Sequence, residues 1–122
     1  MGRGAASPST WTAAGTRGGI AVSGLPASLA EYNTTYAPAE ASAGGYPGYA
    51  SAAGQHLCYA ASHDQWVLDS KRFDPADNTC VAGISAAAGH VPTGAKDWRA
   101  KVGGKWVDVE VTAREVVLYE EV

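Results

Sequence analysis

Few residues of this chain carry reactive chemistry. His56, Cys58, His63, Cys80 and His90 are its soft metal ligands, and a zinc ion needs about four such groups converging on a tetrahedron. Their spacing contains no C-x-x-C or H-x-x-x-H element, so the expectation is that they hold no metal and serve as buried or half-exposed polar side chains. His56 and Asp69 come nearest to an acid–base pair, with Ser62, Ser70 or Cys80 as the hydroxyl or thiol a hydrolytic centre would add. No G-x-S-x-G elbow supports such a centre. The expectation therefore names no catalytic residue and no cofactor; the alternative is a small His/Asp-dependent hydrolase-like or metal-dependent enzyme. Asp74, Asp77 and Asn78 lack the alternating oxygen ligands and the glycine of a calcium loop, and turn or cap chemistry accounts for them. Cys58 and Cys80 would form a disulfide in an oxidising compartment, but no secretory leader is visible and two small buried thiols are the expected state. Asn33-Thr34-Thr35 is a glycosylation sequon, a triplet that matters only in a secreted chain.

Aromatic rings are the larger resource. Ala and Gly supply 39 of the 122 residues, whereas Leu, Ile, Val and Phe supply 19, so the four Trp and six Tyr must carry much of any core. A chain this poor in aliphatics is disordered when its net charge is high, but here that charge is only −3. Tyr46, Tyr49 and Trp106, with Lys101 beside Trp106, are the candidate ligand-binding residues, because flat amphipathic rings suit a sugar ring, a peptide or another domain. The competing use for the same rings is packing.

The elements that would position these groups are short β-type runs separated by Gly, Pro, Asn and Asp. Strands are expected over 20–23, 31–37, 46–50, 55–60, 65–69, 81–85, 97–102, 105–111 and 115–119, with a helical turn starting at Asp74-Pro75. Gly103-Gly104 supplies the positive φ angles of a two-residue turn, which pairs Val102 with Lys105, Ala100 with Val107 and Trp98 with Val109 on one face. Lys101 then faces Trp106 and Arg99 faces Asp108 on the other, so Trp98 belongs to the core and Trp106 to the polar side. A second hairpin around Ser62 and His63 pairs Tyr59 with Trp66 and Leu57 with Leu68, leaving Cys58 with Val67 and His56 with Asp69 opposite. The expected fold is all-β: an antiparallel meander forming a small barrel or a two-layer sandwich.

Tyr32, Tyr36, Tyr46-Pro47-Gly48-Tyr49, Leu57-Cys58-Tyr59, Trp66-Val67-Leu68, Val91-Pro92-Thr93-Gly94, Trp98 and Lys105-Trp106 follow one another in an order that resembles an uncharacterised short Tyr/Trp-rich β module of multidomain proteins in algae and other protists. The resemblance runs over about 22–111, with Cys58 where that module commonly has a second aromatic. It implies an auxiliary or recognition module and carries over no catalytic residues.

Residues 1–19 are rich in Ala, Gly, Ser and Thr, include Arg3 and Arg17 and precede the first acidic residue, Glu31. This composition overlaps that of transit peptides and fits a flexible linker of a longer chain better, which leaves 20–122 as a single β domain. No apolar run reaches the roughly 18–20 residues of a membrane helix, so a soluble chain with no membrane partner is expected. Nine basic against twelve acidic residues, without a basic cluster, give no footprint for nucleic acid. Noncatalytic recognition of a protein or carbohydrate partner through an aromatic surface is the function this sequence favours.

Overall fold

The computed structural model describes residues 16–41, 46–77, 79–85 and 91–119. His90 and Asn78 lie outside them. The chain forms eight antiparallel strands that pair in sequence order and close into a barrel: β1 (Thr16–Ser23), β2 (Thr35–Ala39), β3 (Gly48–Ala50), β4 (His56–Ala60), β5 (Gln65–Asp69), β6 (Ala82–Ser85), β7 (Gly94–Val102) and β8 (Lys105–Tyr119). Of the two expected architectures, the barrel is the one formed.

Eight strands enclose an interior just wide enough for side chains to fill. Trp66, Trp98, Tyr36, Leu57, Leu68 and Val111 fill it and are fully buried. Small residues make room for the rings: Leu68 of β5 stands beside Ala82 of β6, which stands beside Ala100 of β7, so three adjacent strands place one large and two small groups at one level. This is how a chain short of aliphatics closes a core. Tyr46 and Tyr59 add their rings at a centroid distance of 4.2 Å, and Tyr46 stacks on Trp66 at 6.2 Å.

Both hairpins have the expected register. Trp98 faces Val109, Arg99 faces Asp108 and Lys101 faces Trp106 across the Gly103-Gly104 turn. In the second, Tyr59 faces Trp66, Cys58 faces Val67 and His56 faces Asp69.

Other expectations require correction. β1 starts at Thr16, so 16–19 belong to the barrel and not to the tail; these residues pair with 116–119 of β8 and close the sheet. The strand expected over 31–37 is divided. Ala27–Tyr32 is a 3-10 helix following Pro26, and the strand starts only at Thr35. Leu25, Leu29 and Tyr32 are buried there and cap one end of the barrel, while the Asn33 amide clasps Leu25, accepting from its N–H at 2.9 Å and donating to its carbonyl at 3.1 Å. The separate strands expected over 105–111 and 115–119 are one strand, because Thr112-Ala113-Arg114 holds no turn residue and Ala113 faces the core. The helical turn expected at Asp74 is a β-turn: Asp77 N–H donates to the Asp74 carbonyl at 3.0 Å and Ala76 N–H to the Asp74 carboxylate at 2.9 Å.

Candidate functional site

Alternation along β7 and β8 decides which groups meet solvent. Trp98 points inward and is fully buried, whereas Trp106, on the opposite face of the same hairpin, is 42 % exposed. Beside Trp106 a cavity of about 290 Å³ crosses the outside of β5–β8, lined by His63, Gln65, Cys80, Gly83, Arg99 and Trp106. The indole forms one wall. Arg99 stands on the adjoining strand, held near its place by the Asp108 carboxylate at 3.4 Å.

Gly83 is the floor. It pairs with Val67 on one side and Arg99 on the other, and a Cβ built there would come within 2.9 Å of the Gln65 Oε1 atom. The bare glycine thus leaves room for the Gln65 amide to lie over the sheet. Indole, guanidinium, imidazole and amide surround a shallow concavity, a set that stacks against a flat apolar surface while bonding to hydroxyl or carbonyl groups at its rim.

A separate layer covers the outside of β4 and β5. Cys58, Ala60 and Val67 are buried there under Phe73 and Cys80 of the segment joining β5 to β6. The two cysteines are not joined in a disulfide, and burial, the largest cause, raises the pKa of each. Arg72 joins this segment to Glu40 and to the Ala41 carbonyl, and Lys71 pairs with Asp77. Under the same layer Asp69 is fully buried, accepting from the Thr79 hydroxyl at 2.7 Å.

The four expected ligand-binding residues do not share one surface. Trp106 and Lys101 are paired on the outer face. The cavity beside Trp106, however, is lined by Arg99 and not by Lys101. Tyr46 and Tyr49 are on the other side of the sheet: both rings pack near Trp66, because Tyr49 pairs with the core residue Leu57 and follows its inward direction. The sequence contained the signal for this, since a chain short of aliphatics draws its tyrosines inward. His56 and Asp69 face each other, yet neither lines the cavity beside Trp106. Among the described residues no group of three or more His, Cys, Asp or Glu is arranged to hold a metal ion, and no helix is long and apolar enough to cross a membrane. His63, Gln65, Cys80 and Gly83 were not anticipated as neighbours of Trp106, whereas the hairpin register had already put Arg99 on its face. Gln65 and Gly83 lie on β5 and β6, and the β5–β6, β6–β7 and β7–β8 registers together bring them beside Trp106.

Comparison with protein-family models, curated proteins and solved structures finds no match to this chain.

Proposed function

We propose that the barrel is a noncatalytic recognition module that binds a carbohydrate on the outer face of β5–β8. One observation carries this reading: a half-exposed indole walls a concave site whose rim is planar polar side chains and whose floor is a bare glycine. A sugar ring has an apolar face to lie on Trp106 and hydroxyls to meet Gln65, Arg99 and His63. The resemblance to an auxiliary Tyr/Trp-rich β module supports the same role. A hydrolase reading is disfavoured because Asp69 is engaged by Thr79 beneath a covering layer, away from this cavity.

A protein partner is the second reading. The β1 ladder ends at Ser23 opposite Thr112, while β8 continues back to Lys105 in its hairpin with β7. Val107 is 39 % exposed on this part of the hairpin, which offers a strand edge for backbone pairing.

A glycan array and a peptide library, probed with wild type and Trp106→Ala, separate these readings. Wild type is expected to retain a glycan, and Trp106→Ala to weaken that binding by about tenfold or more with an unchanged circular dichroism spectrum. Gly83→Leu, which fills the floor, is expected to do the same. Retention of peptides alone, or glycan binding indifferent to Trp106, would overturn the carbohydrate assignment.

A further inference from the structure

The two ends of the barrel differ. Where β1 finishes, Leu25, Leu29 and Tyr32 close the interior, and the Tyr36 hydroxyl reaches up to donate to the Tyr32 carbonyl at 2.9 Å. Where β1 begins and β8 ends, the interior instead opens into a cavity of about 620 Å³, whose walls include Gly18, Ile20, Pro38, Pro47, Tyr49 and Glu115. That volume lies within the range of roughly 300–1,000 Å³ typical of small-molecule sites.

The chemistry of this mouth is uneven. Its walls are almost wholly apolar, and Glu115 is the one charged group among the residues that line it. Glu115 follows the buried Val111 and Ala113 on the same face of β8 and pairs with buried Ile20, so alternation directs it toward the mouth, where it is exposed at the rim. It forms no ion pair among the described residues. Tyr49 provides the other polar group; burial first and the Glu115 charge second raise its pKa, so it is a neutral hydroxyl. Gly18 lines the mouth opposite Val117, and a Cβ added there meets nothing within 4 Å. The space over it is open.

We propose that this mouth is a second ligand site, which takes a small hydrophobic monoamine with its ammonium group against Glu115 and its apolar body against Ile20, Pro38 and Tyr49. Charge complementarity selects this class. A hydrophobic acid would meet the repulsion of Glu115, and a neutral apolar molecule would gain nothing from this exposed carboxylate. The site lies at the barrel rim, where Gly18, Pro38, Glu115 and Val117 are exposed, and is independent of the Trp106 face.

The test uses the full chain, isotopically labelled, titrated with phenylethylammonium, phenylethanol and phenylacetate while backbone amide and indole resonances are followed. Shifts are expected at Gly18, Gly19, Glu115 and Val117 and not at the Trp106 indole. The ammonium compound should bind about fivefold more tightly than the alcohol, as a partly exposed ion pair would give, and the carboxylate most weakly. Glu115→Gln should abolish the preference for ammonium over alcohol while leaving alcohol binding intact. Gly18→Leu, placed in open space, should remove the binding of both. Absence of shifts at these amides up to about 10 mM would overturn the proposal. So would equal affinity for the three probes, or an ammonium preference that survives in Glu115→Gln. If instead Gly18→Leu moves the Trp11 indole resonance and no amine binds, the mouth is filled by the chain's own amino-terminal segment and the proposal fails.

Discussion

Trp98 and Trp106 provide an internal control, since identical side chains on one hairpin occupy opposite faces. Trp98→Ala removes a fully buried ring and is expected to cost about 3–5 kcal/mol in urea unfolding. Trp106→Ala should change stability by about 1 kcal/mol or less, and its effect belongs to binding. Asp69 provides a second test at this scale. Its carboxylate is fully buried and takes the Thr79 hydroxyl as a donor, while its Oδ2 atom has no hydrogen-bond partner among the described residues. Thr79→Val withdraws the donor from a fully buried acceptor and should destabilise by about 1–3 kcal/mol, read in the same unfolding assay. The two thiols are both held above the usual range by burial, and Cys80 is the less buried. Iodoacetamide at neutral pH should therefore modify Cys80 slowly and Cys58 more slowly still. Adding an alkyl group to Cys80 also narrows the cavity beside Trp106, so the modified protein should bind glycan less well.

Among the elements, the β7–β8 turn is the one whose sequence can be improved. Gly103 and Gly104 have φ of 59° and 81°, the angles of a type I′ turn, and a Cβ at Gly103 meets nothing within 4 Å. Gly103→Asn keeps that conformation and restricts the unfolded chain, with an expected gain of about 0.5–1 kcal/mol, measured as a higher urea midpoint. The same turn explains why the register around Trp98 and Trp106 was legible from sequence: two glycines fix the pairing locally, and a period of two carries it along both strands. Tyr59 and Trp66 were legible on another ground: no glycine marks the 61–64 loop, and the register is the one that matches ring with ring and Leu57 with Leu68. Ala27–Tyr32 was not, because Leu25, Leu29 and Tyr32 show neither a strand period nor a helix long enough to recognise, and their burial depends on the barrel end they cap. The start of β1 was hidden as well. Gly18 and Gly19 read as linker, yet at Gly19 a side chain would collide with Leu118 at 2.7 Å and the Tyr36 carbonyl at 2.9 Å, so glycine is there for close approach. The Trp106 cavity needed three strand registers at once, more than local patterning conveys.

For the whole molecule, the tyrosine-rich interior sets the alkaline limit. Burial raises the pKa of Tyr36, Tyr32 and Tyr49, and Tyr59 is pushed up to about 12, chiefly by its hydrogen bond to Asp64. In the unfolded chain these phenols ionise near pH 10, while in the barrel they keep their protons. Stability from this source is complete below about pH 10 and is lost as pH rises toward the folded-state values, because there the unfolded chain binds fewer protons. Urea midpoints should be flat from neutral pH to about pH 9.5 and fall beyond it. Tyr36→Phe should flatten that decline, at the cost of the hydrogen bond to the Tyr32 carbonyl.

Thr16 of β1 lies directly across from Tyr119 of β8, and every other pairing joins strands adjacent in the chain. The order of the meander is therefore cyclic, with no intrinsic first strand. A circular permutant that bridges positions 16 and 119 with a short linker and opens between Ser62 and His63 should adopt the same barrel. It exchanges one distant ladder for another, the eight β1–β8 pairs becoming local and the five β4–β5 pairs the most distant, so the mean sequence separation falls and assembly should be modestly faster than in the parent.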